Sequence, residues 1–180
     1  ANPSHAQELM ANFNRNAATP ISSLKPVPAP VPENPSGTGF VVVDLVGLAV
    51  ACTLTNYNLF GTGRMAPGTG IVLAAAPGQA DRNALSLGPV LTYDAKFQSF
   101  RSAIAASGGA AAVTATTAVL ATSILQGVTL EKAIGAPRVH HGGAPDIAVL
   151  EESVPQGMKF ALEQKGHKTA TVPSLARVNA

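Results

Sequence analysis

Six prolines fall within residues 19–35, TPISSLKPVPAPVPENP, and the patterning changes at once beyond them. Proline fixes φ and donates no backbone hydrogen bond. This tract is therefore barred from a sheet interior and predicts an extended or polyproline-like linker. SGTGFVVVD, residues 36–44, follows it and reads as the start of a strand. The boundary at Pro35 divides the chain into residues 1–36, a short helix plus linker, and residues 37–180, one α/β domain. The helix is expected over 5–15, HAQELMANFNR, with Leu9, Met10 and Phe13 on one side. The same boundary raises a chemical question. Thr38 is either a β-branched residue entering a strand or a nucleophile exposed by cleavage of the chain before it.

GFVVVD and LAVACTLT, joined by a turn containing Gly47, predict a hairpin. Their near-continuous apolar character predicts cover on both faces. A glycine-punctuated loop at 60–70, FGTGRMAPGTG, leads to a further strand, IVLAA. After a loop at 77–84, strands are expected at 89–93 and 97–106, with a turn at Asp94 and Ala95. SGG at 107–109 ends a strand, and AAAVTATTAVLATSILQG reads as a helix closed by Gly127. A second helix runs over 129–134 with Thr129 as N-cap. GAPRVHHGGAPD is a loop, IAVLEE a strand, PQGMKFALEQKG an amphipathic helix and 168–172 a last strand. Strands, then helices, then strand–helix–strand specify α/β layers of the α+β type on a largely antiparallel sheet. A doubly wound nucleotide fold has a different order.

Charge and motif content narrow the function classes. The net charge is +2 and Lys and Arg are scattered, which gives no nucleic-acid surface. No apolar run has membrane-spanning length; the longest, 103–125, is broken by Gly108 and Gly109 and reads as a buried helix. The single cysteine, Cys52, excludes an internal disulfide framework and reads as a core residue. His140 and His141 are adjacent, and neighbouring side chains diverge on a strand or a helix, so no metal site is expected. His5 and His167 read as surface residues, and Glu151 and Glu152 as a solvated strand end. FGTGRMAPGTG lacks the Lys-Ser/Thr ending and the following helix of a phosphate cradle, so it reads as a turn-rich connection. No cofactor is expected. The chain opens on Ala with no signal-peptide core behind it, and is expected to be part of a longer polypeptide, incomplete at its C-terminus.

Two features carry potential chemistry. Gly108 and Gly109, between a strand end and a helix start, leave backbone N–H groups accessible for an acyl-transfer oxyanion. Close strand–helix packing would select the same glycines. A threonine hydroxyl needs a base, and near Thr38 the local candidate is the α-amino group that cleavage would create. Its pKa of about 8 suits that work near neutral pH.

Taken together, these segments resemble the small subunit of the γ-glutamyltranspeptidase family, the glutathione hydrolases, from residue 37 to about 171. VVVD, AVACTLT, LFGTGRMAPGTGIVLAAAP, LSLGP, ASGG and GAPRVHHGG fall in the family's order. The resemblance implies an N-terminal-nucleophile hydrolase with two antiparallel sheets between helical layers. It implies a self-cleaving precursor whose large subunit ends near residue 36, and which acts in the periplasm or outside the cell. The large-subunit-like chain of that precursor would be the partner, carrying an arginine that grips the substrate carboxylate. The substrate would be a γ-glutamyl or other amide small molecule.

Aligned without gaps from Asp44, the family's nucleophilic threonine falls on Gly37 and its second threonine on Thr38. Cleavage at Gly37–Thr38 would make Thr38 the nucleophile. Thr55 falls on the threonine that supports it, Gly108 and Gly109 on the oxyanion pair, and Ser86 on one serine of a serine pair, with Leu85 at the other. Substrate-binding positions differ: Tyr57 replaces an asparagine, Ala76 a glutamine, and Gln79 the amine-binding aspartate, with Asp81 two residues on. Loss of that carboxylate removes a charge-assisted hydrogen bond of about 1.5–3 kcal/mol. An acyl group other than free γ-glutamyl is the implied substrate. The rival reading is a non-catalytic relative, uncut at the linker, acting as a structural or partner-binding subunit.

Overall fold

The structure, a computed structural model, describes residues 3–23, 37–75 and 88–180. Most of the proline tract and positions 76, 79, 81, 85 and 86 lie outside the described residues. Helix α1 spans Pro3–Met10, and a 3-10 turn spans Ile21–Ser23. Strands β1 (Gly37–Val43) and β2 (Ala49–Thr55) form the expected hairpin. Its turn is built by Asp44, whose Oδ1 accepts from the amides of Val46 at 2.9 Å and Leu48 at 2.8 Å. Gly47 there takes φ +88, a conformation that costs glycine nothing.

Strands β3 (Val90–Asp94) and β4 (Ser99–Ser107) pair antiparallel, and β8 (Arg177–Asn179) adds to the far edge of β4. The predicted strands 89–93 and 97–106 are thus present, while β8 is not anticipated. Three residues are too few to show a period. Helix α2 (Ala111–Gln126) closes on Gly127 at φ +66, and α3 (Leu130–Ile134) is capped by the Thr129 hydroxyl, which accepts from the Lys132 amide. A third sheet joins β5 (Val139–His141), β6 (Ala148–Glu151) and β7 (Thr169–Val172), with α4 (Gln156–Gln164) between β6 and β7. Among the described strands only β6 and β7 pair in parallel, so the sheets are largely antiparallel.

Ala-rich segments make the layers close. Ile104 of β4, Val119 of α2 and Ala133 of α3 form one core, with Val178 of β8 packed against it. Gly39 packs β1 on the opposite face of β4: a Cβ there would lie 3.0 Å from the Ala105 carbonyl carbon and the Ala106 nitrogen. Helices, β3–β4–β8 and the β1–β2 hairpin therefore stack in succession. Ala148, Leu150 and Val154 make a second cluster with Leu162 of α4.

Several expectations are corrected. The hairpin is covered on one face only, since Phe40, Val42, Val50 and Leu54 are exposed. Among the described residues IVLAA joins no sheet and makes only an isolated bridge, Val72 with Met65. Leu73 instead turns back on its own loop, donating to Arg64 O at 2.9 Å and accepting from the Thr62 amide at 2.8 Å. GAPRVHHGGAPD is not all loop, because Val139–His141 is β5. Its histidines do diverge: His140 Nδ1 meets Thr114 Oγ1 at 2.9 Å and His141 Nε2 meets Asp146 at 3.1 Å. Cys52 is half-buried rather than a core residue.

Candidate active site

The hairpin and the central sheet meet at an open cavity of about 420 Å³. The start of β1 contributes Gly37 and Thr38, the β4–α2 junction Ser107 and Gly108, and the chain entering β8 closes it with Leu175, Ala176 and Arg177. Gly39 faces β4, so Thr38 shares its strand face with exposed Phe40 and borders the cavity at its rim.

Gly108 has a double reason to be glycine. Its φ is +137, and an added Cβ would stand 2.7 Å from Leu175 O and 2.9 Å from Ala176 Cα. Gly109 takes φ +63, and its carbonyl accepts from the Ala112 amide as α2 begins. The crowding at Gly108 comes from the segment entering β8 rather than from strand–helix packing, and it sets Gly108 on the cavity wall.

Register decides which side chain Thr55 faces. Gly37 stands opposite Thr55, and Thr38 opposite Leu54. A Cβ added at Gly37 would lie 3.9 Å from Thr55 Oγ1. The Thr55 hydroxyl itself accepts from the Tyr57 amide at 3.0 Å. Tyr57 takes φ +61, a left-handed conformation that asparagine tolerates far better than a bulky ring. Thr38 and Gly108 therefore share the cavity wall. Thr55 and Tyr57 form a separate bonded pair at the end of β2, while Gln79 and Ser86 lie outside the described residues.

Behind the wall is a buried ion pair that sequence reasoning misread. Glu151 is 5% exposed, not a solvated strand end. Its Oε1 accepts from Arg138 Nη2 at 2.8 Å, Arg138 Nε at 3.1 Å and the Leu175 amide at 3.0 Å. Oε2 accepts from the Arg138 amide at 3.0 Å. Arg138 Nη2 also donates to Ala176 O at 3.1 Å, and Nη1 to Ile134 O at 3.0 Å. The two backbone units that crowd Gly108 are thus the ones this pair holds. A charge in APR and another thirteen positions on give no local signal that they meet.

A family model described as Gamma-glutamyltranspeptidase matches residues 1–79 and 74–180. This chain belongs to the gamma-glutamyltranspeptidase family. It is 30% identical to the glutathione hydrolase proenzyme of Escherichia coli (strain K12), over 94% of this chain and 33% of that protein. It is 28% identical to the Acylase ACY 1 proenzyme of Pseudomonas sp. (strain V22), over 80% of this chain and 27% of that protein. The chain spans about a third of the length of the curated relatives it matches. A gamma-glutamyltranspeptidase variant from Helicobacter pylori superposes with a TM-score of 0.68 at 23% identity, covering 79% of this chain and 88% of that one. The fold is that of the solved gamma-glutamyltranspeptidase structures. Among the described residues no helix is long and apolar enough to cross a membrane.

In this gamma-glutamyltranspeptidase relative one side chain ties the two sheets beside the cavity. Asn179 Nδ2 donates to Gly39 O at 2.7 Å. Asn179→Ala removes this donor from the carbonyl of buried Gly39 and is expected to cost about 1 kcal/mol, read as a lower urea midpoint at unchanged slope.

Proposed function

We propose that this chain is the nucleophile-bearing part of an amidohydrolase or acyltransferase, and that Thr38 is its nucleophile after cleavage at Gly37–Thr38. The observation that carries this reading is the cavity bordered by both Thr38 and Gly108. The new α-amino group takes the hydroxyl proton as Thr38 Oγ1 attacks the amide carbonyl. The backbone amides of Gly108 and Gly109 receive the oxyanion. Collapse protonates and expels the amine, and water or an amino acid then takes the acyl group from the threonine ester. By family correspondence Thr55 is the supporting hydroxyl and Tyr57, Gln79 and Ser86 are the substrate-binding positions, although Thr55 stands opposite Gly37 rather than Thr38. The partner is a large-subunit-like chain of the same precursor, and the setting is periplasmic or extracellular.

A specific observation favours the rival, a non-catalytic structural or partner-binding subunit. The residue facing Thr55 is Gly37, which has no hydroxyl. Intact mass and N-terminal sequencing of the purified full-length protein separate the two. A new terminus at Thr38 together with p-nitroaniline release from an acyl-p-nitroanilide supports the enzyme. An uncut, inert chain supports the rival.

A further inference from the structure

We infer that Arg177 anchors an anionic group on the acyl moiety, and that the preferred acyl group carries a carboxylate with no ammonium beside it. This rests on reading the cavity as the acyl site. Direction comes first. Arg177 pairs with Ser107, and Asn179, two residues on, reaches Gly39 O across the layer gap. Alternation along β8 turns Arg177 the same way, toward β1, while Val178 between them packs into the core under α2. Arg177 accordingly lines the cavity that Thr38 and Gly108 border.

Charge comes second. Arg177 is exposed and, among the described residues, forms no ion pair; the arginines that do are Arg101 with Asp94 and Arg138 with Glu151. Among the described residues no Asp or Glu lines the cavity. The nearby carboxylate, Glu151, is buried behind the wall and committed to Arg138 and the Leu175 amide. A carboxylate on the ligand thus gains a planar, charge-assisted partner in the guanidinium. An ammonium on the ligand meets like charge and, among the described residues lining the cavity, no counter-ion. The cavity volume of about 420 Å³ falls within the range of small-molecule sites.

Three primary amides that differ only in head charge test this: glutaramate (anion), butyramide (no charge) and glutamine (anion plus ammonium). Calorimetric titration of the full chain is expected to show glutaramate binding at least ~10-fold tighter than either of the others. Arg177→Gln should weaken glutaramate at least ~10-fold and leave butyramide unchanged, while Arg177→Lys keeps part of the preference. Arg177 is exposed, so both variants should match the parent in melting temperature. Equal affinities, no detectable glutaramate binding, tighter binding of glutamine, or indifference to Arg177→Gln would each overturn the inference. Ammonia release separates it from the proposed function. Arg177-dependent binding without ammonia upholds the anchor and removes hydrolysis, whereas ammonia release indifferent to Arg177 does the reverse.

Discussion

Arg138→Ala is expected to destabilise the fold by about 3–5 kcal/mol, because it strands a buried carboxylate rather than removing a surface contact. Side-chain exposure is 13% for Arg138 and 6% for Glu151, so solvent cannot take over. Urea unfolding of parent and variant gives the difference directly. The pair also has a local duty. Glu151 Oε1 and Arg138 Nη2 hold Leu175 and Ala176 against Gly108. Amide exchange at Leu175 should therefore accelerate in Arg138→Ala more than at Leu150, whose strand is fixed by β5 and β7. A cost below about 1 kcal/mol would place Arg138 among solvated pairs and remove this account of the wall.

What the sequence made legible follows from how local each signal is. The α2 stop at Gly127 and the Thr129 cap are single-residue chemistry, and both occur as written. The β1–β2 hairpin is equally local, because runs of Val with a glycine turn leave few alternatives. IVLAA has the composition of a strand, yet its neighbours 62–66 capture its hydrogen bonds first, and composition cannot report that competition. Arg138 with Glu151 and Ser107 with Arg177 are encounters between distant segments, and period and propensity are silent about them. The same limit applies to the site. Order of motifs led to Thr38, Thr55 and the glycines, but only register shows that Thr55 faces position 37 while Gly108 shares a wall with Thr38.

That one-residue offset gives the second large effect. If Thr38 is the attacking group, Thr38→Ala should lower acyl-p-nitroanilide turnover at least ~1,000-fold, since no other group would form the ester, while Thr38→Ser keeps measurable rate. Gly37→Thr in the Thr38→Ala background tests the neighbouring face. A Cβ there stands 3.1 Å from Leu54 O and 3.8 Å from Thr55 Cβ, tight enough that the β2 backbone must yield a few tenths of an ångström. Position 37 takes no positive φ among the described residues, so threonine is not excluded by conformation. Activity lost in Thr38→Ala and not regained by Gly37→Thr assigns the chemistry to Thr38 and its rim position. Activity regained assigns it to the face Thr55 commands, and Thr38 then becomes only the residue that starts a strand. Activity indifferent to both substitutions would move the nucleophile out of the hairpin altogether, to Ser107 or Ser174, the other hydroxyls lining the cavity among the described residues.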